Sequence, residues 1–186
     1  MLRIILSPVL VILTVLLIPS VSKALFFLPL IFALSISLVN LDKLKSKSSL
    51  VGILISIAQS YGVFLGLAIV LFFLDEFSED ISLLSNQNFP LKGIILVTLG
   101  GYLAALLLFY FFRFLFKVSG KQFSFLSITI CYALVVLVMQ IFSKNEFLQF
   151  GVEKFASFLI SWVIFMSLGF SIALNKDSFD LLIRKK

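Results

Sequence analysis

The chain has 186 residues, of which 61% are apolar or aromatic and only 24 are charged, 15 Lys or Arg and 9 Asp or Glu. Soluble domains carry about 25% charged residues and could not bury this much apolar surface, so the composition indicates an integral membrane protein. The sequence has no His and a single Cys, Cys131. These counts exclude Ser–His and Cys–His nucleophilic pairs and zinc or haem sites built on His. We therefore expect neither an enzyme nor a cofactor.

Six apolar segments reach or approach the roughly 20 residues that a helix needs to cross a bilayer core of about 30 Å. None alternates polar and apolar residues with the period of two that a membrane β-barrel requires. Helices satisfy their backbone groups without water, so the sequence predicts an all-α, polytopic transmembrane bundle in one domain, 1–186. The predicted spans are 4–19, 24–41, 50–74, 93–116, 124–142 and 155–174.

The first span has an alternative interpretation. Arg3 is followed by an apolar run and then by small residues up to Ala24, a pattern that resembles a cleaved secretory signal. Pro8 within the run and Lys23 near the cleavage point fit that interpretation poorly. Cleavage would leave five spans instead of six.

The distribution of basic residues predicts the orientation, because cytoplasmic loops are enriched in Lys and Arg. With the N-terminus inside, eleven basic residues fall on the inner side and four on the outer side. We therefore expect both termini inside. The inner set is Arg3, Lys43, Lys45, Lys47, Arg113, Lys117, Lys121, Lys176, Arg184, Lys185 and Lys186, and the outer set is Lys23, Lys92, Lys144 and Lys154.

Uncharged polar residues lie inside the third and fourth spans. Gln59, Ser60 and Tyr61 are consecutive near the middle of the third span, and Tyr102 lies in the fourth. They could form a substrate site in which Tyr102 faces the other three. Such groups more often form hydrogen bonds between helices. Residues two apart on a helix point about 200° apart, so we expect Gln59 and Tyr61 not to face one narrow cavity.

Small residues form stripes on the same two spans and indicate close helix packing. Stripes at this spacing let two helix backbones approach each other, so we expect a Leu side chain at Gly62 or Gly66 to push two helices apart. The stripe residues are Ala58, Gly62 and Gly66 in the third span and Gly100, Gly101, Ala104 and Ala105 in the fourth.

Arg113, Lys117 and Lys121 form a predicted basic rim at the inner end of the fourth and fifth spans. An Arg near a span end can extend its charge to the headgroups, and such a rim can hold anionic lipid headgroups. We expect the lipid bilayer as the main partner, a membrane protein as a further candidate, and no nucleic acid. The 23 Phe, with abundant Ile, Lys and Ser, favour a low-GC genome and a bacterial cytoplasmic membrane.

The segment from Gly100 to the end resembles the Yip family of Rab-interacting multi-span membrane proteins and their bacterial relatives. That family has a Gly-rich basic turn between two spans, then an aromatic residue, then a Tyr-Ala or Tyr-Ser pair in the next helix. Positions of this pattern are occupied by Gly120, Lys121, Phe123, Tyr132 and Ala133. The resemblance implies a non-enzymatic multi-span protein in membrane organisation or trafficking.

The turn at Gly120 also has an interpretation that does not depend on the family. Gly has no Cβ and adopts a left-handed conformation at little cost, so it can close a tight turn between antiparallel helices. We therefore expect a scaffold-like protein that acts through helix, lipid or protein contacts. The alternative is a small permease or the membrane subunit of a transporter, with its substrate at the polar residues of the third span.

Overall fold

The computed structural model describes residues 2–18, 21–46, 48–79, 91–118, 120–144 and 152–177. These residues form six α-helices, so the prediction of an all-α bundle of about six helices is confirmed. Each predicted span coincides with one helix, and the largest difference is at the end of the third, Glu79 instead of residue 74. The helices are α1 (Leu2–Leu16), α2 (Val21–Val39), α3 (Ser49–Glu79), α4 (Leu91–Leu115), α5 (Lys121–Lys144) and α6 (Val152–Leu174).

Three helices are long and apolar enough to cross a membrane: α3 over Ser49–Leu67, α4 over Thr98–Leu115 and α5 over Lys121–Val138. The described apolar parts of α1, α2 and α6 are shorter, 10–17 residues. Large apolar side chains are exposed on all of α1 to α5, for example Leu16 and Phe114 at 75% and 77%. The buried polar side chains of the described residues are all Ser or Asn. An apolar exterior around uncharged polar groups is the arrangement expected of a bundle whose outer surface contacts lipid.

Helix α6 is the centre of the bundle. It contacts α1, α2, α4 and α5, and consecutive helices from α1 to α5 contact each other around it. None of its described side chains, 158–174, is a large apolar group exposed at the surface. A helix that is apolar all round is buried on all sides, and the sequence of α6 follows that rule.

Aromatic rings fill the core between α2, α4 and α6. The Phe32 ring of α2 lies with its centroid 6.0 Å from Trp162, 6.0 Å from Phe112 and 5.5 Å from Phe170. The last two rings are themselves 5.2 Å apart. Edge-to-face pairs at these distances contribute about 0.5–1.5 kcal/mol each beyond burial. Helix α3 joins this cluster through Phe64, whose ring is 5.2 Å from Trp162.

Serine hydroxyls link neighbouring helices in the interior. Ser7 of α1 donates to Ser35 of α2 over 3.3 Å, and Ser37 of α2 shares a hydrogen bond of 2.8 Å with Ser56 of α3. Helix α1 also buries Ile4 and Val11. These contacts make α1 a packed member of the bundle.

Two connections pair at one end of the bundle. The amide of Lys45 donates to the carbonyl of Leu115 and the amide of Lys117 to the carbonyl of Lys43, at 2.7 and 2.8 Å, which forms an antiparallel bridge between Leu44 and Phe116. We call this end, which contains the described residues 40–46, 48, 116–118 and 120, the basic end.

The first turn of α1 and the end of α6 also lie at the basic end. Asn175 donates from Nδ2 to Oδ1 of Asn40 over 2.7 Å, and both residues are buried. Arg3 forms an ion pair of 2.6 Å with Asp42, which lowers the pKa of the Asp42 carboxyl from its ordinary value of 3.8. The start of α1 and the residues that follow α6 are thus on one side of the bundle.

Gly120 has φ of 73°, so the predicted left-handed turn before α5 is confirmed. A Cβ at this position would also lie 3.1 Å from Cδ of Lys176. The turn and the last residues of α6 are therefore packed together at the basic end.

Close helix approach occurs at Gly101 and Gly169. A Cβ at Gly101 would lie 2.8 Å from Cζ of Phe158 and 3.0 Å from the hydroxyl of Tyr132. A Cβ at Gly169 would lie 3.1 Å from Cβ of Cys131 on α5. These two glycines let α4, α5 and α6 meet without overlap.

We expect Gly101→Ala to destabilise the bundle by about 1–3 kcal/mol, because the added methyl overlaps Phe158 and displaces the Tyr132 hydroxyl from its hydrogen bond. The matched control is Gly62→Ala, where nothing lies within 4 Å of an added Cβ. Ala favours helix over Gly by up to about 1 kcal/mol, so this control should be neutral or stabilising. Unfolding of the purified variants in mixed detergent measures both, and equal stability of Gly101→Ala and the parent would contradict the expectation.

Candidate functional site

An apolar groove of about 720 Å³ runs along the surface between α3 and α4. Small residues from both helices line it together with larger apolar side chains. Among the described residues, the lining is Ile55, Ala58, Gln59, Gly62, Val63, Gly66, Leu67, Gly100, Leu103, Ala104, Leu107 and Phe111. None of these residues is charged, so the groove suits an apolar occupant.

The two predicted stripes of small residues face each other across this groove. The expected backbone contact does not occur at Gly62 or Gly66, because nothing lies within 4 Å of a Cβ built at either position. The stripe of α4 divides into two pairs that point about 100° apart. Gly100 and Ala104 line the groove, whereas Gly101 and Ala105 are buried on the core side.

The consecutive polar residues of α3 point in different directions. Tyr61 donates its hydroxyl to the carbonyl of Phe26 on α2 over 3.2 Å. Ser60 is fully buried and its hydroxyl has no hydrogen-bond partner among the described residues. Gln59 lines the groove, and its Oε1 is buried and likewise without a partner in the described structure. The expectation that Gln59 and Tyr61 do not face one cavity agrees with this geometry.

Tyr102 does not face these residues. Its hydroxyl forms a hydrogen bond of 3.1 Å with Thr129 of α5, and its ring is 5.3 Å from the ring of Tyr132. A substrate site that combines Tyr102 with the polar residues of α3 is therefore incorrect. The reason is helical phase: Tyr102 lies about 200° from Gly100, which lines the groove.

Two buried donors from other helices attach to the backbone of α4. Tyr132 donates to the carbonyl of Thr98, and Trp162 Nε1 donates to the carbonyl of Gly101 over 3.0 Å. The two acceptor carbonyls are about one helical turn apart on α4. Tyr132, one of the residues on which the family resemblance rests, thus joins α5 to α4 through this hydrogen bond.

The predicted basic rim lies at the basic end. Lys117 and Lys121 are exposed. The guanidinium carbon of Arg113 lies 5.8 Å from the ring centroid of Phe109 and 6.0 Å from that of Tyr110, so it packs against rings one turn earlier instead of extending past the helix end. The described basic residues at this end are Arg3, Lys43, Lys45, Arg113, Lys117, Lys121 and Lys176, against Asp42 and Asp177.

Lys45 and Lys176 also stabilise the basic end directly. Lys45 Nζ donates to the carbonyl of Arg113 over 2.6 Å, where a cation is favourable beside the last carbonyls of α4. Lys176 Nζ lies 5.6 Å from the Phe123 ring centroid. The predicted rim is therefore part of a wider positive surface that can meet anionic groups.

Sequence reasoning missed two features that shape the bundle around the site. Gly169 and Ala173 of α6 have the four-residue spacing of the small-residue stripe on α3. Gly169 lies in close contact with α5. The pair of Asn40 and Asn175 joins residues 135 positions apart, which no local pattern could reveal.

We found no family model, curated protein or solved structure that matches the chain. The resemblance to the Yip family therefore stays a prediction.

We expect Gln59→Leu to leave the stability of the bundle unchanged or to raise it. The buried Oε1 of Gln59 has no partner among the described residues, and an unsatisfied buried polar atom costs about 1–3 kcal/mol. A matched comparison is Asn175→Leu, which removes a buried hydrogen bond and should destabilise. Detergent unfolding of the two variants distinguishes them, and a clear loss of stability in Gln59→Leu would show that the amide has a partner in the membrane.

Proposed function

We propose that this chain is a non-enzymatic, scaffold-like membrane protein that acts in membrane organisation or trafficking through contacts with other membrane helices and with lipid. The observation that carries the proposal is the groove between α3 and α4, which has small residues in an uncharged lining. Small residues on membrane helices let another helix approach closely, so this groove suits the apolar side chains of a partner helix. The positive basic end adds a surface for anionic headgroups.

The permease hypothesis has weaker support. A polar substrate needs several convergent polar groups, but Tyr61 and Tyr102 form hydrogen bonds to other helices of the bundle. Among the described residues that line the groove, Gln59 alone has a polar side chain. Loss of uptake of a solute in Gln59→Leu, with folding and expression unchanged, would favour the permease over the scaffold.

A crosslinking experiment in native membranes tests the proposed function. A photoreactive amino acid replaces Leu103, which lines the groove, and in a matched control it replaces Leu137, which is exposed to a similar degree on α5. We expect protein adducts from position 103 and only lipid adducts from position 137. Filling the groove with Gly62→Leu should abolish the protein adducts. Lipid adducts alone at both positions would contradict a contact surface in the groove.

We also propose that the basic end faces the cytoplasm of a bacterial cell, because basic residues are enriched on the side that is not translocated. On a Cys131→Ala background, a cysteine at Ser48 near the basic end should resist an impermeant thiol reagent added to intact cells. A cysteine at Ser85, in the predicted outer segment, should react. The reverse pattern would overturn the orientation.

A further inference from the structure

We infer that Lys43 and Lys117, which the paired connections hold opposite each other at the basic end, bind the phosphodiester group of one anionic phospholipid. The inference rests on the proposed function, since it names the lipid group and the residues of its lipid contact. It is carried by the backbone pairing of the two lysines, by the lack of a carboxylate to neutralise them and by their depth in the membrane. We call Lys43 and Lys117 the lysine pair.

Backbone hydrogen bonds hold the lysine pair in one arrangement. The amide of Lys117 donates to the carbonyl of Lys43 over 2.8 Å, next to the bridge between Leu44 and Phe116. Residues opposite each other in an antiparallel pair have Cα atoms about 4.5–5.5 Å apart. Leu44 and Phe116 are buried, so the two connections rest on the core of the bundle. The lysine pair therefore has a fixed backbone although it lies outside the six α-helices.

The side chains of the lysine pair point away from the core. Leu44 has extended backbone angles, φ −63° and ψ 134°, and successive side chains of an extended segment lie on opposite sides. Since Leu44 and Phe116 are buried, their neighbours face outward, and Lys117 is exposed while Lys43 is half-buried. Like charges directly opposite each other are destabilising. An anion between the two ammonium groups removes this repulsion.

No described carboxylate neutralises the lysine pair. Asp42 precedes Lys43, but both of its carboxylate oxygens accept from Nη1 of Arg3 at 2.6 Å. This is the one ion pair among the described residues. Neither ammonium group of the lysine pair has a polar partner within the described part of the chain. Both groups are therefore available to an external anion.

Two neighbouring lysines have contacts of their own, which distinguishes them from the lysine pair. Lys45 Nζ donates to the carbonyl of Arg113 over 2.6 Å. Lys176 Nζ lies 5.6 Å from the ring centroid of Phe123. Both cations add to the positive potential at the basic end, which raises the local concentration of anions. They therefore support the binding of an anion without occupying the place of the lysine pair.

The depth of the lysine pair matches that of lipid phosphates. The apolar part of α4 ends at Leu115. Lys117 follows two residues later, at most about 7 Å away at 3.3–3.6 Å per residue, and Lys43 is level with it because the two are hydrogen-bonded. The headgroup region begins where the hydrocarbon core ends and is about 5–8 Å thick on each side. The lysine pair thus lies in the layer of phosphodiester groups.

The chemistry of a phosphodiester suits two opposed ammonium groups. It has one negative charge shared by two non-bridging oxygens, so each lysine can donate to one oxygen. Charge-assisted hydrogen bonds of this kind are about 2.7–2.9 Å long and stronger than neutral ones. In phosphatidylcholine the choline of the same headgroup already balances this charge, whereas in phosphatidylglycerol nothing does. The lysine pair therefore favours an anionic lipid over a zwitterionic one.

Native mass spectrometry of the purified full chain in mild detergent tests the inference, because it resolves individual bound lipids. The titrants are phosphatidylglycerol, phosphatidylcholine with the same acyl chains, and inorganic phosphate. We expect the first phosphatidylglycerol to bind at least tenfold more tightly than phosphatidylcholine, and millimolar phosphate not to displace it. Equal affinity for the two lipids overturns the inference. Displacement by phosphate also overturns it and assigns the lysine pair to a free phosphate.

A double-mutant cycle separates the lysine pair from a diffuse positive surface. Lys43→Gln and Lys117→Gln should each weaken the binding of phosphatidylglycerol about tenfold, the loss expected for a hydrogen bond to a charged group. The double variant should lose about as much as either single variant, because one phosphodiester needs both ammonium groups. Independent charges would multiply their effects instead. Losses that multiply overturn the lysine pair.

Three controls accompany the cycle. Lys43→Arg with Lys117→Arg keeps both charges and should keep the preference for phosphatidylglycerol. Lys92→Gln removes the same charge in the first turn of α4, at the opposite end of that helix, and should change nothing. Lys121→Gln removes an exposed charge of the basic end, and its effect should multiply with that of Lys43→Gln. Helix content by circular dichroism, unchanged in all variants, shows that the bundle is intact.

The outcomes separate this inference from the proposed function. If the chain shows no preference for phosphatidylglycerol while position 103 gives protein adducts, the proposed function stands and the lysine pair fails. If the lysine pair binds phosphatidylglycerol while position 103 gives only lipid adducts, the inference stands and the proposed contact with other membrane helices fails. If neither the preference nor the protein adducts are found, both fail.

Discussion

The packing of aromatic rings on α6 determines how the remaining helices can lie. The Phe32 ring of α2 contacts Trp162 and Phe170 of α6, and the Phe112 ring of α4 contacts Phe32 and Phe170, so these rings join α2 and α4 to the central helix. Trp162 also donates to the carbonyl of Gly101, which fixes the axial position of α4 against α6. Because lipid supplies no hydrophobic force between helices, such close contacts and hydrogen bonds hold the bundle together.

The groove follows from the way in which α3 meets this core. Helix α3 reaches Trp162 through the long side chain of Phe64, while its small residues face the other side. A helix that contacts the core through a large side chain lies farther from it than one that contacts through glycine. Helix α4 lies close to the core instead, because it contacts the core through Gly101, where there is no space for a Cβ. The different approach of the two helices opens the space between them.

The sequence was sufficient for the architecture and for part of the site. Helix number, approximate bounds and the turn at Gly120 follow from local patterns, namely hydropathy, charge at span ends and the conformational freedom of glycine. The stripe residues Gly62 and Gly66 were correctly placed on one face. Their role was not predictable, because spacing gives the face of a helix but not its distance from the next one.

The same limit applies to the polar residues. The sequence favoured interhelical hydrogen bonds for Tyr102 and kept a site beside Gln59 as the alternative, but it could not name the partner, which is Thr129 on α5. Which neighbour a side chain meets depends on the rotation of each helix about its axis. That rotation is set by contacts between distant residues, such as Asn40 with Asn175 and Leu44 with Phe116.

The basic end is closed by many polar contacts, whereas the groove between α3 and α4 is open. At the basic end, hydrogen bonds and an ion pair join α1, the two paired connections and α6, so these ends move together. Farther into the bundle, α3 is held to α2 by the hydrogen bond between Ser37 and Ser56. An occupant of the groove therefore replaces lipid without breaking these contacts. Bulk at Gly62 or Gly66 would enter this groove, because none of the described residues has an atom within 4 Å of a Cβ built at either glycine.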